Sequence, residues 1–349
     1  MFMSLPQETI RSAIASQRSR EKRRWRIVFG FVIVCLISLT FDVATGPSML
    51  PVSEVLRTLL LADDVETMTQ VIVFDLRLPM ALMAISVGAA LGVGGAEIQT
   101  LLNNPMASPY TLGLAAAAGL GASLVIAFGS FGLPLTLAVP IGAFSMTMVA
   151  ASLLFLFASM KRLSSEMLVL AGIAMLFFFQ SVLSLVQYLS SPEVSQQILF
   201  WLFGSLTKAT WENLAFTTAV TALCISLLFK DAWKLTALRM GEERAASLGV
   251  DTKRLRMRVL FFVAVMTAVA ISFVGVIGFI GLVAPHVARM LVGEDQRFFL
   301  PMSMMVGAVF LSISSVLSKI VVPGALFPVG IVTSFIGVPF FFWIMLSKK

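Results

Sequence analysis

Long apolar runs constrain this chain more than any other feature. Stretches of about 20 residues nearly free of charge recur between short polar clusters, and a bilayer core of roughly 30 Å needs about that length of helix. The pattern predicts an all-α polytopic membrane protein. Of the 349 residues, 58% are hydrophobic and 12% charged, against roughly 25% charged in soluble domains, which excludes a soluble enzyme. A membrane barrel would show alternating segments of roughly 10 residues, and no such alternation dominates.

Ten spans are expected, at 27–41, 77–102, 110–128, 133–160, 166–189, 211–229, 258–273, 276–292, 299–319 and 328–346. The first follows Arg11, Arg18, Arg20, Lys22, Arg23, Arg24 and Arg26, and Phe41-Asp42 offers no small-residue cleavage site. It reads as a retained anchor, with residues 1–26 a basic cytoplasmic tail and 27–349 a single transmembrane domain. Residues 42–76 read as an external loop with a short surface helix, and an even number of spans puts both termini in the cytoplasm. Charge supports this orientation, because cytoplasmic loops hold the excess of Lys and Arg. Seven basic residues lie in the tail, two at 161–162, eight within 230–258, Arg289 and Arg297 at and after the inner end of the span 276–292, and two at the C-terminus; only Arg57, Arg77, Lys208 and Lys319 fall outside. The net charge of +7 therefore reflects topology and calls for no nucleic-acid partner.

Cys35 and Cys224 both lie in apolar runs and His286 is the single histidine. Neither a disulfide framework nor a Cys- or His-based metal centre is expected. No G-x-x-x-x-G-K-[ST] loop occurs, so phosphates cannot be held in the P-loop manner and any ATP must be bound by a separate subunit. The longest internal connection, 230–258, predicts two short helices split near Gly241 and ended near Gly249. Glu242 and Glu243 suit the first turn of the second helix, and the small Ala245 and Ala246 would let another surface approach. The plain alternative is a solvated amphipathic connector.

The chain resembles the FecCD family of permeases of type II ABC importers for iron-siderophores, haem and vitamin B12. The resemblance is carried by Arg77-Leu78-Pro79, Gly88-Ala89-Ala90-Leu91, Gly95-Ala96-Glu97-Ile98-Gln99 and Asn104-Pro105-Met106-Ala107-Ser108-Pro109. In the C-terminal third it is carried by Gly278-Phe279-Ile280-Gly281-Leu282-Val283-Ala284-Pro285-His286, Gly293-Glu294-Asp295-Gln296-Arg297 and Pro328-Val329-Gly330. The segment from Gly241 to Val250 resembles the family's cytoplasmic coupling helices.

The resemblance implies a second permease, identical or related, two ATPase subunits that bind ATP and Mg, and a periplasmic binding protein. This chain would hold no cofactor and perform no chemistry. It further implies ATPase coupling through Leu238, Gly241, Glu242, Glu243, Ala245, Ala246, Leu248 and Gly249. Binding-protein docking would fall to Arg77 and Lys319, although Lys319 lacks the bidentate fork of an arginine and both could merely anchor helix ends. Family frequency favours a ferric siderophore as cargo, with haem or cobalamin as the alternative.

Pathway or gate candidates are Glu97, Gln99, Asn104, Pro105, Pro285 and His286. Glu97 is the one acid expected inside a span and away from its ends, where ionisable groups are costly; a neutral, hydrogen-bonded structural role is the preferred reading. Asn104-Pro105 marks a turn that the resemblance makes a cytoplasmic gate. Pro285 breaks a helical hydrogen bond and His286 can satisfy backbone groups nearby. A proton-coupled transporter using Glu97 and His286 is the reading from another class. The Gly88-x-x-x-Gly92 spacing permits close helix packing.

Overall fold

The computed structural model describes residues 7–46, 50–60, 65–130, 132–160, 165–322 and 325–347. Among them the regular structure is entirely helical, numbered α1 to α15 in chain order with one π-helical turn. Seven helices are long and apolar enough to cross a membrane: α1 (Gln7–Ala44), α4 (Leu78–Leu101) with the turns before it, α6 (Leu135–Ser159), α7 (Ser165–Leu189), α9 (Trp211–Lys230), α12 (Thr252–Val274) and α14 (Gln296–Ile320). Three shorter apolar helices, α5 (Leu114–Phe128), α13 (Ile280–Val292) and α15 (Val329–Ser347), fall on the other three expected runs.

The basic stretch after Gln7 is helical and continuous with the first span, forming the first half of the 38-residue α1. Nothing in it breaks a helix. In the expected loop 42–76, α2 (Val52–Leu59) is the short helix, whereas Asp63 and Asp64 lie outside the described residues. From α3 (Thr67–Val71) the chain stays helical into α4 through the π-helical turn Ile72–Arg77, so that span starts ten residues before Arg77. Pro79 sits in the first turn of α4; its ring crowds the carbonyl four residues earlier and supplies no N–H, which accounts for the widened turn. A further helix, α8 (Pro192–Leu202), was not expected, although Ser191 caps it by accepting from Val194 N at 3.4 Å and Pro192 occupies its first position.

α4 is the centre of the bundle, buried almost throughout and packed against α9, α12, α13 and α14. Glycine makes this possible. A Cβ on Gly88 would lie 2.3 Å from Gly307 O, one on Gly92 2.4 Å from Ser303 O, and one on Gly95 1.9 Å from Gly281 O. Backbones of α4, α13 and α14 thus touch directly, as expected where dispersion rather than water drives helix association. The rim is the reverse: Phe29, Ile33, Phe177, Phe178 and Phe335 are all at least 60% exposed, a surface suited to lipid and to a partner subunit.

Candidate coupling and gating site

The segment between α9 and α12 folds as the two short helices expected of it, α10 (Ala232–Leu238) and α11 (Glu242–Ser247). Gly241 and Gly249 adopt φ of 109° and 80°, which L side chains rarely take, so these two glycines set the break and the stop. Glu242 and Glu243 occupy the first turn of α11, where the helix dipole favours acids. The N-terminus of α12 is capped by Asp251, whose carboxylate accepts from Arg254 N at 3.0 Å.

Leu238 and Ala245 both face the chain's own core, at 6% and 0% exposure. The small side chain of Ala245 therefore serves packing within the chain, not the approach of another surface. Gly241, Glu242, Glu243, Ala246, Leu248 and Gly249 are exposed and available to a partner. Glu242 is paired with Arg256 on α12, which fixes α11 against the body.

Asp231, the C-cap of α9, is buried and accepts from Lys234 Nζ and Arg258 Nη1, each at 2.6 Å. Burial works against its ionisation, but the two cations outweigh it and hold the carboxyl below its ordinary range. Sequence reasoning passed over this acid, although an aspartate between Lys230 and Lys234 at a span's end was a visible signal.

A second polar cluster joins α10 to α4 through the corner between α13 and α14. Arg239, the C-cap of α10, pairs with Glu294, and Arg289 Nε lies 3.0 Å from the same Glu294 oxygen. Burial again opposes ionisation of Glu294, and the hydrogen bond and charge of Arg239, with the charge of Arg289, bring its carboxyl below the usual value. Arg289 Nη2 donates to Gln99 Oε1 at 3.0 Å, and Gln99 Nε2 donates to Gly281 O at 3.4 Å. Beside it, Gln296 N donates to Thr236 Oγ1 at 3.1 Å and Gln296 Nε2 to Thr100 Oγ1 at 2.7 Å. Of these residues only Gln99 was a site candidate in the sequence; Glu294 and Gln296 stood there only as part of the family motif at 293–297, with no sign of what they would bond.

The turn Asn103–Pro109 follows α4. Asn103 has φ 46°, and Asn104 Oδ1 accepts from Met106 N at 2.9 Å, the Asx-type bond that favours asparagine in turns. Asn104 and Pro105 line a cavity of about 660 Å³ shared with Leu238, Gly241 and Glu242, which brings the turn and the α10–α11 segment together. Pro285 is buried within α13 and His286 is half-buried beside it, on another helix from the turn. Phe279, immediately before α13, holds φ 65°, a costly conformation for a bulky residue; a Cβ on Gly337 would lie 2.5 Å from the Cβ of Phe279, so α15 leaves room for it. Phe279, Tyr110, Phe203 and Phe335 line an apolar cavity of about 740 Å³.

Glu97 is fully buried on α4, and neither carboxylate oxygen has a hydrogen-bond partner among the described residues. The hydrogen bond expected for its structural role is not seen there.

At the opposite end, Arg77 and Lys319 are buried, at 4% and 5% exposure. Arg77 Nη1 donates to Val43 O and Ala44 O at 3.2 and 2.8 Å, at the C-terminus of α1, where a cation complements the helix dipole. Lys319 Nζ donates to Asp42 Oδ1 at 2.6 Å and Asp42 O at 2.7 Å, and Ser315 Oγ donates to the same carboxylate oxygen at 2.8 Å. Both cations hold down the end of α1.

The model of the FecCD transport family matches residues 32–347. The hemin transport system permease protein HmuU of Yersinia pestis is 33% identical, over 93% of this chain and 96% of its own. The vitamin B12 import system permease protein BtuC of Klebsiella pneumoniae is 31% identical, over 96% of this chain and 97% of its own. A solved structure described as an inward-facing conformation of a metal-chelate type ABC transporter superposes with a TM-score of 0.81 at 30% identity, covering 93% of this chain and 99% of that one.

Proposed function

The chain belongs to the FecCD transport family as a permease subunit of a metal-chelate ABC importer, and on that premise we propose that its cargo is a bulky chelate of the haem or cobalamin kind. The observation that carries this reading is the likeness to hemin and vitamin B12 permeases over more than nine-tenths of both chains. A ferric siderophore ranks second. As a family member in the bacterial inner membrane, the chain works with ABC ATPases, a periplasmic binding protein and a paired permease; ATP and Mg belong to the ATPase. Ten spans with both termini cytoplasmic agree with the ten apolar helices and with the basic residues of 230–258.

In this reading α10 and α11 receive the ATPase, with Glu242, Glu243, Ala246 and Leu248 as contacts and Leu238 and Ala245 as the packing beneath them. ATP-driven closure shifts the permease between outward and inward opening through contacts that differ between the two states. The turn at Asn104-Pro105 and the Pro285-His286 stretch serve as the cytoplasmic gate. Arg77 and Lys319 reach acidic side chains of a binding protein only when Asp42 and the α1 carbonyls release them.

Uptake into ATP-loaded proteoliposomes, with the cognate ATPase and binding protein, tests the cargo. Haem or cobalamin should accumulate with ATP and regardless of a proton uncoupler. Uptake of a ferric siderophore alone would overturn the cargo assignment; uptake without ATP that an uncoupler abolishes would favour proton coupling through Glu97.

A further inference from the structure

Two polar threads leave the same short helix and end on neighbouring residues of the central one. From α10, Arg239 reaches Gln99 through Glu294 and Arg289. One turn earlier, Thr236 reaches Thr100 through Gln296. Every intermediate residue lies in the stretch 289–296, where α13 ends and α14 begins. We propose that this α13–α14 corner transmits displacement of α10 to the paired inner ends of α4 and α13, with Arg239, Glu294, Arg289 and Gln296 as positioning residues. The proposal rests on the reading of α10 and α11 as the ATPase contact.

Three features suit the corner to this task. The carboxylate of Glu294 accepts a hydrogen bond from Arg239 and forms an ion pair with Arg289, whose Nε makes no hydrogen bond among the described residues; the charge-assisted bond to Arg239 is roughly twice as strong as a neutral one, so α10 cannot shift without dragging or breaking that junction. Gln99 uses both ends of its amide, accepting from Arg289 and donating to Gly281 O; this locks α4 to α13 one turn below the backbone contact of Gly95 with Gly281. Gln296 is fully buried and Thr100 is 1% exposed, so water cannot readily replace the second thread. Arg289 also lies over the Phe299 ring, its guanidinium carbon 5.5 Å from the centroid, which ties the first thread to α14 as well. A displacement at the surface is thus passed through packed, bonded elements rather than along one side chain.

Binding-protein stimulation of ATPase activity in the complete importer, reconstituted in proteoliposomes, reads coupling across the permease without knowledge of the cargo. Glu294→Gln should lower the ratio of stimulated to basal activity by about tenfold, within the range usual for linked sites, and leave basal activity within about twofold. Arg239→Met should do the same. The double variant should be no worse than either single one, because both remove one junction. Stimulation that persists per folded complex in Glu294→Gln, or losses that simply multiply in the double variant, would overturn the proposal. Should Glu294→Gln fail to assemble, Thr236→Val cuts the second thread with little change of shape; an unchanged ratio there would overturn it equally. A wild-type complex without any stimulation would instead overturn the reading of α10 and α11 beneath it.

Discussion

Two buried charged residues of this permease have opposite surroundings. Lys319 gives its ammonium to both the carboxylate and the carbonyl of Asp42, whereas Glu97 has no hydrogen-bond partner among the described residues. Removing one member of a buried ion pair strands the other and costs roughly 3–5 kcal/mol. Lys319→Met should therefore lower unfolding stability in detergent by about that amount, and adding Asp42→Asn should restore most of it. Glu97→Gln removes an acid that holds no visible bond, so stability and transport should remain near wild type; a loss of uptake at normal stability would give the carboxyl a part in transport. The acid itself was plain in the sequence, and so was its burial. That Lys319 would turn inward was not, since its partner lies 277 positions away and pairing across such a distance leaves no local signal.

Helix contacts depend on how closely two backbones can approach. The sequence offers many glycines, and their spacing alone does not separate those that touch another helix from those that fill a turn. Gly129 and Gly132 have nothing near a Cβ, whereas Gly95 has the carbonyl of Gly281 at 1.9 Å. Gly95→Ala should force α4 and α13 apart and destabilise the permease by about 1–3 kcal/mol, as overpacking of a tight core does, measured by thermal unfolding in detergent. Gly129→Ala provides no such clash as a comparison, though its φ of 102° adds backbone strain. Element boundaries were legible where a cap or a proline marked them, as at Gly241 and Gly249; α8 was missed despite its Ser-Pro start because its eleven residues carry no span-length apolar run.

For the whole molecule, surface and interior divide α11 and its flanks. Ala245 belongs to the core and Ala246 to the surface, though the two are adjacent and chemically the same. Ala246→Trp should impair coupling to the ATPase, lowering stimulated activity by roughly tenfold in a normally folded permease. Ala245→Trp should instead reduce the folded amount itself. Stimulation equal to wild type with Ala246→Trp would remove α11 from the ATPase contact, and this is measured on the purified complex.

Hydrophobic length, charge distribution and family motifs were all local in the chain, because a lipid solvent demands apolar spans and satisfied backbones whatever the neighbouring helices are. They determined the helical membrane class, the position of the long apolar helices, the two short helices of 230–258 and membership of the importer family. Which side of each helix faces another was decided only in three dimensions: in a chain where nearly every position of a span is apolar, periodicity carries little information, and the facing surfaces are selected by shape, glycine contact and a few distant polar bonds. The inward turn of Arg77 and Lys319, the burial of Ala245 and the convergence of Arg239, Glu294, Arg289 and Gln99 all belong to that second kind.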